Sequence, residues 1–104
     1  MDLYIITFKH GNYAVAVFNK LQGYGVRNIY LTQTPFSIKS ECDLCIRAYG
    51  ESTYNIVMKE CRRVPVDNVF MEVKQGGKTM YKMLDCWKSH QSEHKKISCA
   101  FFYI

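Results

Sequence analysis

Two stretches of this chain carry the same apolar stripe. Ala14, Val17, Phe18 and Leu21 fall at i, i+3, i+4 and i+7, and Tyr54, Val57, Met58 and Cys61 repeat that spacing forty residues later. In a helix those positions share one face, so each stretch must bury that face against something. Short runs rich in β-branched and aromatic residues flank both stripes. Leu3–Phe8 and Asn28–Thr32 bracket the first, and Leu44–Tyr49 and Asn68–Val73 bracket the second. Strand–helix–strand therefore occurs twice. A chain of 104 residues supports one core, so the two units must share a sheet.

Two such units predict an α+β fold, a ferredoxin-like βαββαβ sandwich. Its four strands form one antiparallel sheet with both helices on one face and right-handed crossovers. Local punctuation agrees. His10-Gly11-Asn12 turns the chain after the first strand, and Gly23 and Gly25 are placed to end the first helix. Ser52 or Thr53 is a good N-cap for the second helix, Arg62 and Arg63 suit its C-terminus, and Pro65 stops it. This assigns residues 1–74 to the sandwich and residues 75–104 to a C-terminal extension. Gln75-Gly76-Gly77-Lys78 reads either as a hairpin turn or as the start of a third helix. Met80, Met83, Leu84 and Trp87 again show helical spacing, which predicts the helix. The apolar tail Ile97–Ile104 is then expected to pack on the domain or on a dimer mate.

Composition removes several classes. With 48% hydrophobic and 14% aromatic residues the chain folds. No apolar run reaches the length of a membrane span, and Met1-Asp2-Leu3-Tyr4 lacks the basic start of a secretory signal, so a cytoplasmic protein is expected. Five cysteines in such a chain point to reduced thiols. The net charge of +5 is uneven, +1 over residues 1–58 and +4 over residues 59–104. The lysines are scattered rather than blocked, which predicts a solvated face and no nucleic-acid partner. No GxSxG, P-loop, HExxH or glycine-rich dinucleotide turn is present. The chain reads as a carrier or binding protein more than as a stand-alone enzyme.

The informative stretch for chemistry runs from Thr34 to Arg47. It puts Cys42 at the end of a polar connector, just before a strand, where a thiol sits at the rim of a rigid sheet and still reaches solvent. Lys39 and Arg47 are near enough in sequence to lower its pKa, while the flanking Glu41 and Asp43 would raise it. Cys42 and Cys45 also form a C-x-x-C. Entering a strand, positions three apart face opposite ways, so Cys45 is expected to pack and is only secondarily a second thiol. Cys86, His90 and His94 lie at i, i+4 and i+8, a spacing that would gather zinc ligands if that segment were helical, with Cys42 or Cys45 as a fourth. A solvated polar tail is the simpler reading, so no metal and no cofactor are expected. Cys61 falls in a helical apolar stripe and reads as core. Tyr4, Tyr30 and Tyr49 could line an open sheet face, but the basic-Gly-aromatic signature of an RNA recognition motif is absent.

The opening Tyr4-Ile5-Ile6-Thr7-Phe8, together with Thr34-Pro35, Ile38, Ser40, Cys42 and Leu44-Cys45-Ile46-Arg47, resembles a family of small bacterial selenium/sulfur carrier-like proteins over about residues 3–73. The resemblance implies the ferredoxin-like fold and places Cys42 at the family cysteine, the acceptor thiol of a carrier. Lys39 and Arg47 would assist it electrostatically, and a cysteine desulfurase is the kind of donor expected. Asp43 stands where the family has glycine, Phe36 where it has a basic residue, and Lys39 and Glu41 replace two serines. The glycine that would let backbone amides cradle an anion is thereby lost. The alternative is a non-catalytic binding or assembly module, a homodimer or an open sheet face, with the zinc site as a further possibility.

Overall fold

The computed structural model describes residues 2–38 and 43–84, together with the backbone of a short strand, Phe101–Tyr103. Strand β1 (Leu3–Phe8) is buried along its whole length because it lies between two others. β3 (Leu44–Tyr49) pairs with one side of it and β4 (Val66–Gln75) with the other, both antiparallel. β2 (Ile29–Gln33) pairs antiparallel with the outer side of β3. Helix α1 (Gly11–Gly23) joins β1 to β2. Helix α2 (Glu51–Glu60) and a 3₁₀ turn (Cys61–Arg63) join β3 to β4. β5 (Lys78–Leu84) and β6 (Phe101–Tyr103) continue the sheet beyond β4, giving the order β2-β3-β1-β4-β5-β6. The architecture is α+β, with two helices among the described residues and an antiparallel sheet wider than the expected four strands.

Alternation along the central strands sends successive side chains to opposite faces. Tyr4 and Ile6 on β1, Ile46 and Ala48 on β3 and Val69 on β4 meet Ala14, Val17 and Leu21 of α1, Tyr54, Val57 and Met58 of α2 and Cys61 of the 3₁₀ turn in one core. Both apolar stripes thus bury against the same sheet face, with Phe18 packed at the margin. On the opposite face a smaller cluster gathers Ile5, Cys45, Phe70 and Tyr81, with Ile38 and Met83 against it.

Three local expectations are corrected. Of the two glycines expected to end α1 in left-handed conformations, only Gly25 does so; Gly23 is the last helical residue and has no positive φ. Gly25 has φ +82 and donates to the Gln22 carbonyl, while Val26 donates to that of Leu21, the paired bonds of a Schellman motif. α2 starts at Glu51 with Gly50 as its N-cap, two or three residues before the expected Ser52 or Thr53. The third correction is the largest: residues 78–84 form strand β5 and not a helix. Gly76 and Gly77 both take positive φ, +57 and +78, as a two-residue type I′ turn requires, and Gln75 pairs with Lys78 across it. That turn supplies the free edge of β4 with a partner, which a helix could not do. Trp87, the last member of the helical spacing, lies outside the described residues.

Candidate functional site

The β2–β3 connector is tied to the rest of the fold at both of its ends. Gln33 and Leu44 are the last ladder pair. Pro35 has no N–H to carry the ladder further. Thr34 closes the neck instead, its N–H donating to the Asp43 carbonyl at 2.7 Å. The chain then turns, with the Ile38 N–H on the Pro35 carbonyl at 3.0 Å, and the Ile38 side chain packs on the cluster of Ile5, Cys45, Phe70 and Tyr81. At the other end Asp43 lies against the first residue of α1. A Cβ added to Gly11 would collide with Asp43 Oδ1 and press on the Leu44 nitrogen at 3.4 Å. The same Oδ1 accepts a hydrogen bond from the Leu44 N–H at 2.9 Å. α1 has no side-chain cap from His10 and no acidic residue in its first turn, so the Asp43 carboxylate is the anion placed nearest its positive end among the described residues. Cys42 and Lys39, between these anchors, lie outside the described residues.

Cys45 sits on the open face of β3, fully buried. Its Sγ is 3.7 Å from Thr32 Oγ1. Burial pushes the thiol up, Asp43 pushes the same way, and the Thr32 hydroxyl and Arg47 oppose them. Cys61 is buried among apolar side chains, and its thiol is pushed up to about 12 by that burial, with Glu60 adding to it. Both described cysteines are therefore held as neutral thiols, poor nucleophiles at neutral pH. In the folded protein both are expected to resist iodoacetamide at pH 8 and to react once denatured. Fast alkylation of either in the native state would contradict this packing.

Arg47 is engaged elsewhere on the open face: its Nη1 lies 3.4 Å from Glu72 Oε1 in a half-buried ion pair. Tyr30 and Tyr49 meet edge-to-face at 5.5 Å on that same face. Tyr4 does not join them. It points to the helices and stacks on Tyr54 at 4.2 Å, because residue 4 has the opposite parity to residue 3, the register partner of Tyr49. Cys86, His90 and His94 lie outside the described residues; among the described residues no cluster of three or more His, Cys, Asp or Glu stands ready for a metal ion. No helix among them is long and apolar enough to cross a membrane.

In the sequence Gly11 is marked only as part of a turn and Ile38 only as a member of the family-like motif, although both anchor the connector. The one available signal was a glycine at the first helical position, where a capping residue or proline would ordinarily precede or open a helix. Thr34 was visible only as part of a motif. Among the described residues its Oγ1 is buried with no hydrogen-bond partner.

Together these observations define a small α+β protein whose β2–β3 connector is pinned to the sheet and to a helix N-terminus, with two further thiols sealed in the core. The chain belongs to the family described as "Putative Se/S carrier protein-like", whose model matches residues 3–68. No curated protein and no solved structure matches the chain.

Proposed function

We propose that this chain is a sulfur or selenium carrier on a ferredoxin-like sandwich, with Cys42 as the acceptor thiol. The observation that carries the reading is the family match, whose span includes the whole connector. The fold supports it. β1α1β2β3α2β4 with strand order β2-β3-β1-β4 is the split βαβ pattern, to which β5 and β6 add an edge. Among the described cysteines there is no competing acceptor, because Cys45 and Cys61 are buried and held protonated.

In the proposed step the Cys42 thiolate attacks the outer sulfur of a donor persulfide, R–S–SH. A new S–S bond forms on Cys42, the donor S–S bond breaks, and the donor leaves as its thiolate R–S⁻. The hydrogen stays on the transferred sulfur, and no external oxidant or reductant is needed. Selenium transfers likewise from R–S–SeH. The carboxylate of Asp43 would oppose a neighbouring thiolate, but its place at the N-terminus of α1 offsets part of that charge. Lys39 is the remaining cation of the connector, since Arg47 is balanced by Glu72. A cysteine desulfurase is the class of donor this chemistry suits.

The test is intact-mass spectrometry after incubation with a desulfurase and cysteine. The wild-type chain should gain one sulfur atom, lost on reduction, and Cys42→Ser should gain none while Cys45→Ser still does. Equal gain by Cys42→Ser and the wild type would sink the assignment.

A further inference from the structure

Four cations converge where α2 ends. Lys59 from α2, Arg62 and Arg63 from its 3₁₀ extension and Lys20 from α1 line a cleft of about 370 Å³, in which Glu60 is the one carboxylate among the described residues. That carboxylate is 3.0 Å from Lys20 Nζ, so the lining as a whole is positive. A second hollow of about 330 Å³ adjoins it along α2, sharing Lys59 and Arg62 and adding Ile56. Ile56 is 44% exposed, one of four large hydrophobic side chains that stand out among the described residues. A cation at a helix C-terminus is ordinary, since the dipole favours it. Here Lys20 comes from a different helix, and an exposed apolar side chain continues the cationic cleft.

We propose that this groove docks an acidic segment of another protein, its carboxylates on Lys59, Arg62 and Arg63 and one apolar side chain in the hollow beside Ile56. Arginine fits carboxylates through its planar, two-pronged donor set, and an apolar anchor beside charged neighbours is the usual make-up of a small protein interface. Nucleic acid fits less well. No aromatic side chain lines either hollow among the described residues, so nothing there would stack a base. A second copy of this chain fits less well too, because each copy carries +5. The proposal does not depend on Cys42.

The experiment uses fluorescence anisotropy at about 0.15 M salt, where charges more than about 8 Å apart are largely screened. The probe is a short labelled peptide bearing several glutamates and one leucine, with a leucine-to-serine version and a dT oligonucleotide of matched charge alongside. The wild-type chain should bind the leucine peptide more tightly than either comparison probe. Lys59→Glu with Arg62→Glu should weaken that binding roughly tenfold or more, as loss of complementary charge does at an interface. Ile56→Ser should weaken it severalfold. Lys74→Glu with Lys78→Glu makes the same charge change on the β4–β5 hairpin and should alter binding less than about twofold, because separated surface charges are screened. All five substituted positions on the groove and hairpin are exposed, and thermal melts check that each variant still folds. Equal loss in the hairpin variant would show attraction to net charge alone and overturn the proposal. Tighter binding of the oligonucleotide, or loss of self-association in the groove variant, would overturn it in favour of nucleic acid or a second copy.

Discussion

Ile6→Ala should lower the stability of the fold by about 2–5 kcal/mol, the usual cost of truncating a large buried aliphatic side chain. Ile6 is fully buried at the middle of the central strand. Its register partners are Ile46 on β3 and Val69 on β4, and all three belong to the core beneath both helices. No surface element can relax into the space it would leave. Domains of this size hold only about 5–15 kcal/mol in total, so roughly a third of the margin is at stake at mid-range values. The melting temperature should fall by at least about 10 °C. Ile56→Ala, on the outer side of α2, removes the same kind of side chain from an exposed position and should stay within about 0.5 kcal/mol of the wild type. Denaturant titration of both variants checks the contrast. Equal costs would mean that the sheet–helix core is not where the stability resides.

Gly11→Ala is expected to change sign with its neighbour. In an ordinary first helical turn, replacing glycine by alanine stabilises by about 0.4–1 kcal/mol through the unfolded chain. Here the new methyl would meet Asp43 Oδ1 and crowd the Leu44 nitrogen. The carboxylate would have to leave its bond to Leu44, and the neck closed by Thr34 and Asp43 would shift with it. The single variant should therefore lose about 1–3 kcal/mol, the cost of overpacking. In an Asp43→Gly background the collision is gone, and the same substitution should become neutral or stabilising. A double-mutant cycle by chemical denaturation measures the coupling directly. Additive effects would show that Gly11 and Asp43 do not touch.

Alkaline pH offers a separate check on the buried thiols. Cys61 is raised from 9.0 to about 12 in the fold, and Cys45, Tyr4, Tyr54 and Tyr81 are also raised, chiefly by burial. A folded-state pKa above the unfolded one means that the native state holds its proton more tightly. For Cys61 the stabilisation is complete below pH 9 and is lost as pH climbs towards 12, at no more than about 1.4 kcal/mol per pH unit. Urea midpoints at pH 8 and pH 10 should therefore fall, and Cys61→Ala should flatten that fall.

The helices and the four central strands were legible because their patterns are local. The 3.6-residue stripes at 14–21 and 54–61 and the apolar runs beside them each satisfy one period over several residues. Residues 78–84 misled for the same reason. Met80, Met83 and Leu84 fit a helix by spacing, yet a Gly-Gly turn and an unpaired edge on β4 decided for a strand, and that edge exists only in the folded sheet. The connector was legible in its cysteine and its proline. What anchors it was not, because Gly11 and Asp43 are 32 residues apart in sequence and meet only once β1 and β3 have paired. The face of Tyr4 was decided by parity against residues 3 and 49, which needs the register and not the composition.

If Cys42 is the acceptor thiol, transferred sulfur must reside on it. Peptide-level tandem mass spectrometry of the wild-type chain, loaded by a persulfide-bearing desulfurase and trapped with iodoacetamide before digestion, localises that sulfur without any substitution. Fragment ions should place the trapped persulfide on Cys42 itself, with Cys45 and Cys61 unmodified because both thiols are buried. A persulfide on any other cysteine, or none on Cys42 in a chain that has gained sulfur, would contradict it.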